Sequence, residues 1–173
     1  MKILIGYYTK SGTTAKCAEL LCKQFHNHIT EVVDLAETQP HLGDYDTILL
    51  GAPIRMGRMD KRFRAYLKAN ESVLGKARLG FFACCGAAEL AVEVMERDIP
   101  KSLSANAIAL DSFGGELNVK AQKGFVAKIV VWSMRRAIKN GELDEDLCDS
   151  GSIGYPEILP DHIARFADEI KRN

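Results

Sequence analysis

The segment TKSGTT, residues 9–14, joins two stretches of different periodicity near the start of the chain. KILIGYY (2–8) precedes it and is a short, nearly continuous apolar run, which is typical of a buried β-strand. TTAKCAELLCKQFHNH (13–28) has apolar residues at helical spacing, which predicts an amphipathic helix. The segment is therefore expected to be a tight turn from a strand into a helix.

The residues of this turn suit an anion. A helix start exposes backbone N–H groups at the positive end of the helix dipole. Hydroxyl donors are added by Thr9, Ser11, Thr13 and Thr14. Gly12 allows the backbone to curl around a tetrahedral group. These features predict a phosphate site, and an ordinary Ser/Thr helix cap is the alternative that the residues leave open. Neither G-x-x-x-x-G-K-[ST] nor G-x-G-x-x-G is present, which argues against a nucleoside triphosphate or a dinucleotide.

The rest of the chain repeats this alternation of strand and helix. Predicted strands span 2–8, 30–36, 46–53, 77–86 and 106–115, and predicted helices span 13–28, 61–74, 87–99, 123–141 and 161–173. Such an order predicts an α/β fold with a doubly wound, five-stranded parallel sheet and helices on both faces. Ligands of these sheets bind at the carboxyl ends of the strands. The loops expected there are 9–14, 52–60, 84–87 and 112–118.

Composition sets the class of protein. The chain of 173 residues has the size of one domain, so we expect a single domain, 1–173, with a basic amphipathic and loop segment at 115–160 before the last helix. Lys+Arg and Asp+Glu are both 23, which gives no general attraction to nucleic acid. Five cysteines without framework spacing, and an apolar run too short for a signal peptide, predict a cytoplasmic protein. No metal is expected, because no His/Cys/carboxylate group has zinc spacing.

Two motifs resemble those of a known family. TKSGTT resembles the FMN-phosphate loop of flavodoxins, and GAPIRMGRMDKRF (51–63) resembles the corresponding stretch of the menaquinone-dependent protoporphyrinogen oxidases, which are flavodoxin-like FMN enzymes of haem synthesis. The resemblance follows the element order over the whole chain. It implies an FMN cofactor with its phosphate held by the whole first loop, namely Thr9, Lys10, Ser11, Gly12, Thr13 and Thr14.

The resemblance also implies where the isoalloxazine ring lies. This flat, largely apolar ring needs packing surfaces and backbone amides. The expected contacts are Pro53, Ile54, Arg55, Met56 and Gly57 from one loop and Cys84, Cys85 and Gly86 from the other. Flavodoxins often sandwich the flavin between aromatic residues of these loops, and neither loop has an aromatic residue here.

Arg55 and Arg58 are the residues predicted to be catalytic. A cation near the flavin raises its two-electron potential, and a basic rim suits an anionic substrate such as the propionates of a porphyrin. From Arg55 to Lys68 there are six cations and one acid, Asp60. On the helix that follows the loop, these cations are typical of a solvated helix face.

Two further features have a structural and a functional interpretation. The adjacent Cys84 and Cys85 suggest redox chemistry, but small apolar packing at a strand end is the favoured interpretation, since adjacent cysteines form only a strained disulfide. Residues 119–141 contain six cations and no acid, with a broad apolar face. A helix over 123–139 suits either a covering position on the sheet or a peripheral position in a membrane interface, from which a quinone is accessible.

Three functions remain open at this point. The first is an FMN-dependent dehydrogenase of the protoporphyrinogen-oxidase type that passes electrons to a quinone. The second is a flavodoxin-type carrier with a redox partner and no substrate of its own, which is expected to have an acidic surface. The third is a domain that has lost FMN and serves in protein–protein contact. The sequence leaves the substrate and the oligomeric state, including a homodimer, undecided.

Overall fold

The computed structural model describes residues 1–86, 88–115 and 157–172. The elements in chain order are β1 (Lys2–Tyr7), α1 (Thr13–Lys23), β2 (Ile29–Asp34), a 3₁₀ turn (Leu42–Asp44), β3 (Thr47–Arg55), β4 (Arg58–Met59), α2 (Lys61–Ala69), α3 (Glu71–Leu74), β5 (Arg78–Cys84), α4 (Ala88–Asp98), α5 (Lys101–Ser104), β6 (Ala109–Ser112) and α6 (Pro160–Arg172). The predicted helix over 123–141, with the membrane segment 123–139, lies outside the described residues.

Five parallel strands form the central sheet in the order β2-β1-β3-β5-β6, which is the doubly wound arrangement expected from the sequence. The two-residue strand β4 is an addition to this plan, because it folds back antiparallel on the end of β3. The reversal of strand order beside β1 places the carboxyl ends of β1 and β3 next to each other. The prediction of the fold class is confirmed.

Helices cover both faces of the sheet, and each face has its own apolar core. On one face the core is contributed by α2, α3, α4 and α5, with Phe63 and Leu67 among its fully buried residues. On the other face α1 and α6 pack on the sheet, and Phe82, Phe113 and Phe166 form a cluster of ring contacts. The apolar strands are thus buried on both sides, which explains their nearly continuous apolar sequences.

Several element boundaries differ from those predicted. The third strand does not end at Pro53 but continues to Arg55, because Pro53 lies beyond the end of β1, where its missing N–H removes no bond of the ladder. The helix predicted over 61–74 divides at Asn70, whose side-chain amide donates to the Tyr66 carbonyl at 2.9 Å. The last predicted strand, 106–115, is reduced to Ala109–Ser112.

Candidate functional site

The predicted phosphate loop is an uncapped helix start. Gly12 is the N-cap residue of α1, with φ of +87° and no side-chain cap among the described residues. Its own amide donates to Thr9 Oγ1 at 3.0 Å, which closes the turn. A Cβ at Gly12 would meet no atom within 4 Å, so the space beside the loop is open. The first-turn amides of α1 therefore face a space that an anionic group fits.

The hydroxyls of this loop do not all have the same surroundings. Thr13 and Thr14 are both buried, and Thr14 is hydrogen-bonded to the Cys84 thiol at the end of β5. Thr14 thus links the base of the loop to the sheet. Thr9 holds the turn closed, while Ser11 is half-buried at its tip. The side chains that suit a ligand best are therefore those of Ser11 and Thr13, together with the loop amides.

Cys84 is packed as a small apolar residue. A hydrogen bond with Cys17 and then burial raise the pKa of the Cys84 thiol well above its ordinary value, so the thiolate is disfavoured. Cys17, Cys22 and Cys84 are free thiols. Cys85 is half-buried, and its Sγ lies 4.0 Å from Ser112 Oγ. These surroundings favour the packing interpretation of the cysteine pair.

A buried carboxylate holds the phosphate loop against α2. The Asp60 side chain is 1% exposed and caps α2 by accepting from the Arg62 amide at 2.8 Å. It also accepts from Arg62 Nε at 3.2 Å and lies 3.9 Å from Lys10 Nζ. Arg62 Nη2 then donates to the Thr9 carbonyl at 3.3 Å, and its guanidinium lies over the Tyr8 ring. Two cations, Lys10 and Arg62, therefore flank a loop that suits a phosphate.

The ionisation of Asp60 follows from these contacts. Burial alone would raise the pKa of this carboxyl, but the hydrogen bonds and charge of Arg62, assisted by Lys10, outweigh it and lower the pKa below its ordinary value. Asp60 is thus a carboxylate throughout the neutral range. Arg62 lies on an exposed helix face, as expected, with 42% of its side chain exposed, and it also contacts the phosphate loop, which was not predicted.

The second predicted loop is a β-hairpin. β3 continues to Arg55, turns at Met56 and Gly57, and returns as β4, so that Arg55 and Arg58 are directly paired. Both turn residues have positive φ, 50° and 69°, as in the two-residue turns that match strand twist. Met56 is a non-glycine residue in this strained region, and its side chain is fully exposed. The hairpin thus presents an apolar tip between two guanidinium groups.

A second buried carboxylate, Asp98 in the last turn of α4, contacts this hairpin. Asp98 Oδ2 accepts from the Met59 amide at 2.9 Å and from Arg58 Nε at 3.2 Å. Asp98 Oδ1 accepts from Arg97 Nε at 3.0 Å, and Arg97 Nη2 donates to the Gly57 carbonyl at 2.5 Å. Arg64 Nε lies 4.0 Å from the same carboxylate. Several guanidinium groups therefore share one negative charge, and the hairpin is positively charged.

The strand register brings the predicted site residues to one edge of the sheet. Tyr7 pairs with Gly51, and Pro53 pairs with Cys84, so the loops that follow β1, β3 and β5 leave the sheet side by side. The amides and hydroxyls of the first loop, 9–14, suit the phosphate of FMN. In the loops that follow β3 and β5, Ile54, Met56 and Cys85 supply apolar surface for a ring. The residues present therefore fit the cofactor that the sequence predicts.

Sequence reasoning missed Asp98 and Arg97. One signal was available: an acidic residue in the last turn of a helix opposes the helix dipole, so it needs a cationic partner from elsewhere. Among the described residues, no group of three or more His, Cys, Asp or Glu side chains could hold a metal ion, and no helix is long and apolar enough to cross a membrane.

Comparison with known proteins agrees with this fold. A protoporphyrinogen IX dehydrogenase [quinone] of Leishmania major is 31% identical over 86 residues, which cover 47% of this chain and 37% of that protein. Flavodoxin 1 of Bacillus cereus has a TM-score of 0.55 at 16% identity, covering 100% of this chain and 99% of its own. A flavodoxin of Fusobacterium nucleatum, solved bound to flavin mononucleotide, has a TM-score of 0.54 at 12% identity, covering 99% and 97%. The model of the flavodoxin domain family matches residues 4–146, and the chain belongs to that family.

Proposed function

We propose that this protein is an FMN-dependent oxidoreductase that oxidises an anionic organic substrate, in the manner of a protoporphyrinogen dehydrogenase, and passes the electrons to a quinone. The observation that carries the proposal is the Arg55–Arg58 pair, held across a two-residue turn at the edge of the sheet where the cofactor loops meet. The Leishmania major relative supports the choice of substrate and acceptor, because its name gives both.

FMN is the cofactor. The chain belongs to the flavodoxin family, and a solved relative with the same fold holds FMN. The first-turn amides of α1, with Ser11 and Thr13, would hold the phosphate, while Lys10 and Arg62 place positive charge beside it. Residues 53–57 and 84–86 would contact the ring. When bound, FMN supplies the two-electron redox chemistry, so the protein needs no nucleophile of its own.

The arginines have two roles in this proposal. Arg58 is exposed over 57% of its side chain and Arg55 is half-buried, so both reach solvent, from which a substrate carboxylate approaches. Guanidinium groups bind carboxylates through paired hydrogen bonds and remain charged at all relevant pH values. Positive charge at this edge also stabilises electrons added to the ring and raises its potential. Acidic surroundings would instead lower the flavin potential, which is what a low-potential electron carrier requires.

A quinone acceptor requires access to a membrane. The segment 123–139, with its cations and broad apolar face, is proposed to make this peripheral contact. Its support is the amphipathic pattern alone.

The test is anaerobic turnover of the FMN-loaded protein with protoporphyrinogen IX and a water-soluble menaquinone analogue. We expect turnover, and we expect the double substitution Arg55→Gln with Arg58→Gln to raise KM about tenfold and to lower the flavin potential, since two charge-assisted contacts are lost. Arg172→Gln, which removes one exposed cation from the end of α6, is the control and should change neither quantity.

Other results would point elsewhere. Tight FMN binding without turnover of this substrate, combined with rapid electron exchange with a flavin reductase, would favour the carrier. Wild-type protein that binds neither FMN nor riboflavin would remove the redox function altogether.

A further inference from the structure

The β3–β4 hairpin cannot hold its own position. Its strands overlap over only two residue pairs, Ile54–Met59 and Arg55–Arg58, and isolated hairpins are marginal in water even when longer. Its turn includes Met56 at positive φ, a conformation that disfavours the side chain it carries. An external anchor is therefore needed to keep residues 55–57 in one place.

The end of α4 provides that anchor. Asp98 binds the amide of Met59 and the side chain of Arg58, and through Arg97 it is connected to the carbonyl of Gly57. Three consecutive hairpin residues are thus fixed from 39 to 40 residues further along the chain, by backbone as well as side-chain contacts. The Asp98 side chain is 1% exposed, so its carboxylate oxygens depend on these donors, while the Arg58 and Arg97 side chains remain 57% and 53% exposed.

We propose that Asp98 is a positioning residue for the flavin ring: it sets the place of Arg55, Met56 and Gly57 through its contacts with residues 57–59. The inference rests on the FMN-binding part of the proposed function. It goes beyond that part by assigning a role to a residue outside the cofactor loops. The carboxylate is needed for its charge as well as its shape, since its donors include two guanidinium groups.

The first measurement uses Asp98→Asn in the full-length protein. The contacts that Asp98 and Arg97 make with residues 57–59 are called the Asp98 clamp. The amide keeps the volume of the side chain but has no charge and only one acceptor oxygen. It therefore cannot accept from Met59 and Arg58 at one position and from Arg97 at the other, and the clamp opens. In the apo-protein, hydrogen exchange at the Met59 amide should become much faster. In titrations, FMN and riboflavin should both bind about tenfold more weakly, because the loss concerns the ring that they share. The ratio of the two affinities should therefore stay unchanged.

Asp111→Asn is the matched control. Asp111 is also a largely buried carboxylate, and it accepts from Arg165 Nη2 at 2.7 Å and lies 2.9 Å from His162 Nδ1, both on α6. Its neutralisation removes the same kind of contact from the other face of the sheet. We expect Asp111→Asn to lower Tm while flavin affinity and Met59 exchange remain those of the wild type.

The inference is overturned if Asp98→Asn lowers Tm but leaves Met59 exchange and both flavin affinities at wild-type values, or if Asp111→Asn weakens flavin binding equally. Should Asp98→Asn fail to fold, Arg97→Gln tests the same clamp at its exposed link to Gly57, with a smaller shift in the same direction expected and no shift counting against it. If the wild type does not bind FMN, the proposed function and the flavin-positioning role are both rejected. Hydrogen exchange at the Met59 amide would still show whether Asp98 holds the hairpin in place.

Discussion

The phosphate loop and the β3–β4 hairpin lie at the same edge of the sheet, and each depends on a carboxylate whose side chain is 1% exposed. Both are contacted from a distant part of the chain, since Arg62 reaches Thr9 over 53 residues and Asp98 reaches Met59 over 39. They differ in how the contact is made. The turn of the phosphate loop is closed by its own Gly12–Thr9 hydrogen bond, and Asp60 reaches it through the side chains of Lys10 and Arg62. The hairpin backbone, in contrast, is bound directly by Asp98 at the Met59 amide and by Arg97 at the Gly57 carbonyl. One cofactor would thus be held by a locally closed loop at one end and by a hairpin that α4 supports at the other.

The largest effect is expected at the phosphate loop. The double substitution Thr13→Ala with Thr14→Ala should weaken FMN binding by about 2–4 kcal/mol. The Thr13 hydroxyl bond to the charged phosphate is lost, and so is the Thr14 contact that ties the loop to Cys84. Riboflavin, which lacks the phosphate, should bind with nearly unchanged affinity. Fluorescence titration of the apo-protein with each flavin measures both affinities. This result would differ from that of Asp98→Asn at the hairpin, where the affinities for FMN and riboflavin should fall together.

The control for this pair is Thr13→Ser with Thr14→Ser, which keeps both hydroxyls. It matters because Thr14 is hydrogen-bonded to Cys84 and its removal also disturbs the packing beneath the loop. If the alanine pair weakens FMN and riboflavin equally, the hydroxyls support the loop structurally and do not contact the phosphate.

The contrast between the loops also explains what the sequence could predict. TKSGTT signals its role locally, because a strand, a glycine, hydroxyl residues and a helix follow one another within a few residues. The doubly wound parallel sheet follows from the alternation of apolar strands and helices, and it is confirmed. The return strand β4 and the clamp at Asp98 depend on contacts between distant segments, which periodicity does not report. The contact of Arg62 with the phosphate loop was missed for the same reason, since its partner Thr9 lies 53 residues away.

Acid should weaken the contacts of both Asp60 and Asp98. Hydrogen bonds from cationic donors outweigh burial and hold the pKa of both Asp60 and Asp98 below the ordinary value. Carboxyls with a lowered folded-state pKa contribute stability that is present above the unfolded-state pKa, about 4, and is lost as the pH falls through the folded-state pKa. The wild type should therefore lose stability as the pH falls below about 5.

Substitution tests this loss at each carboxylate. Asp98→Asn and Asp60→Asn should each flatten the dependence of Tm on pH between about 5 and 3, because each removes a carboxyl whose folded-state pKa is lowered. At neutral pH, Asp98→Asn should lower Tm more than Asp60→Asn does. Asparagine is itself a good N-cap and keeps the bond to the Arg62 amide, whereas it cannot form ion pairs with Arg58 and Arg97. Equal losses at neutral pH would mean that the hairpin depends no more on its carboxylate than the phosphate loop does.

The smallest effect is expected at the tip of the hairpin. Met56→Asn places a residue that tolerates positive φ ahead of Gly57, which is a favoured sequence for a two-residue turn. The apo-protein should gain about 0.5–1 kcal/mol of stability, measured by denaturant unfolding. Flavin affinity should fall at the same time, because the exposed apolar side chain that would pack on the ring is removed. Val73→Asn, which removes another exposed apolar side chain from ordinary helical backbone, should give no such gain.

A gain in stability together with a loss of flavin affinity would identify Met56 as a residue retained for its contact and not for its fit to the turn. Strained residues of this kind are concentrated at ligand sites, where the surrounding structure fixes them. Here the surrounding structure is the Asp98 clamp, so the effect on stability should shrink when Met56→Asn is combined with Asp98→Asn. Strain can be stored in the turn only while the hairpin is held in place, and a loosened hairpin relaxes it. Full additivity of the two substitutions would show that the turn is strained independently of α4.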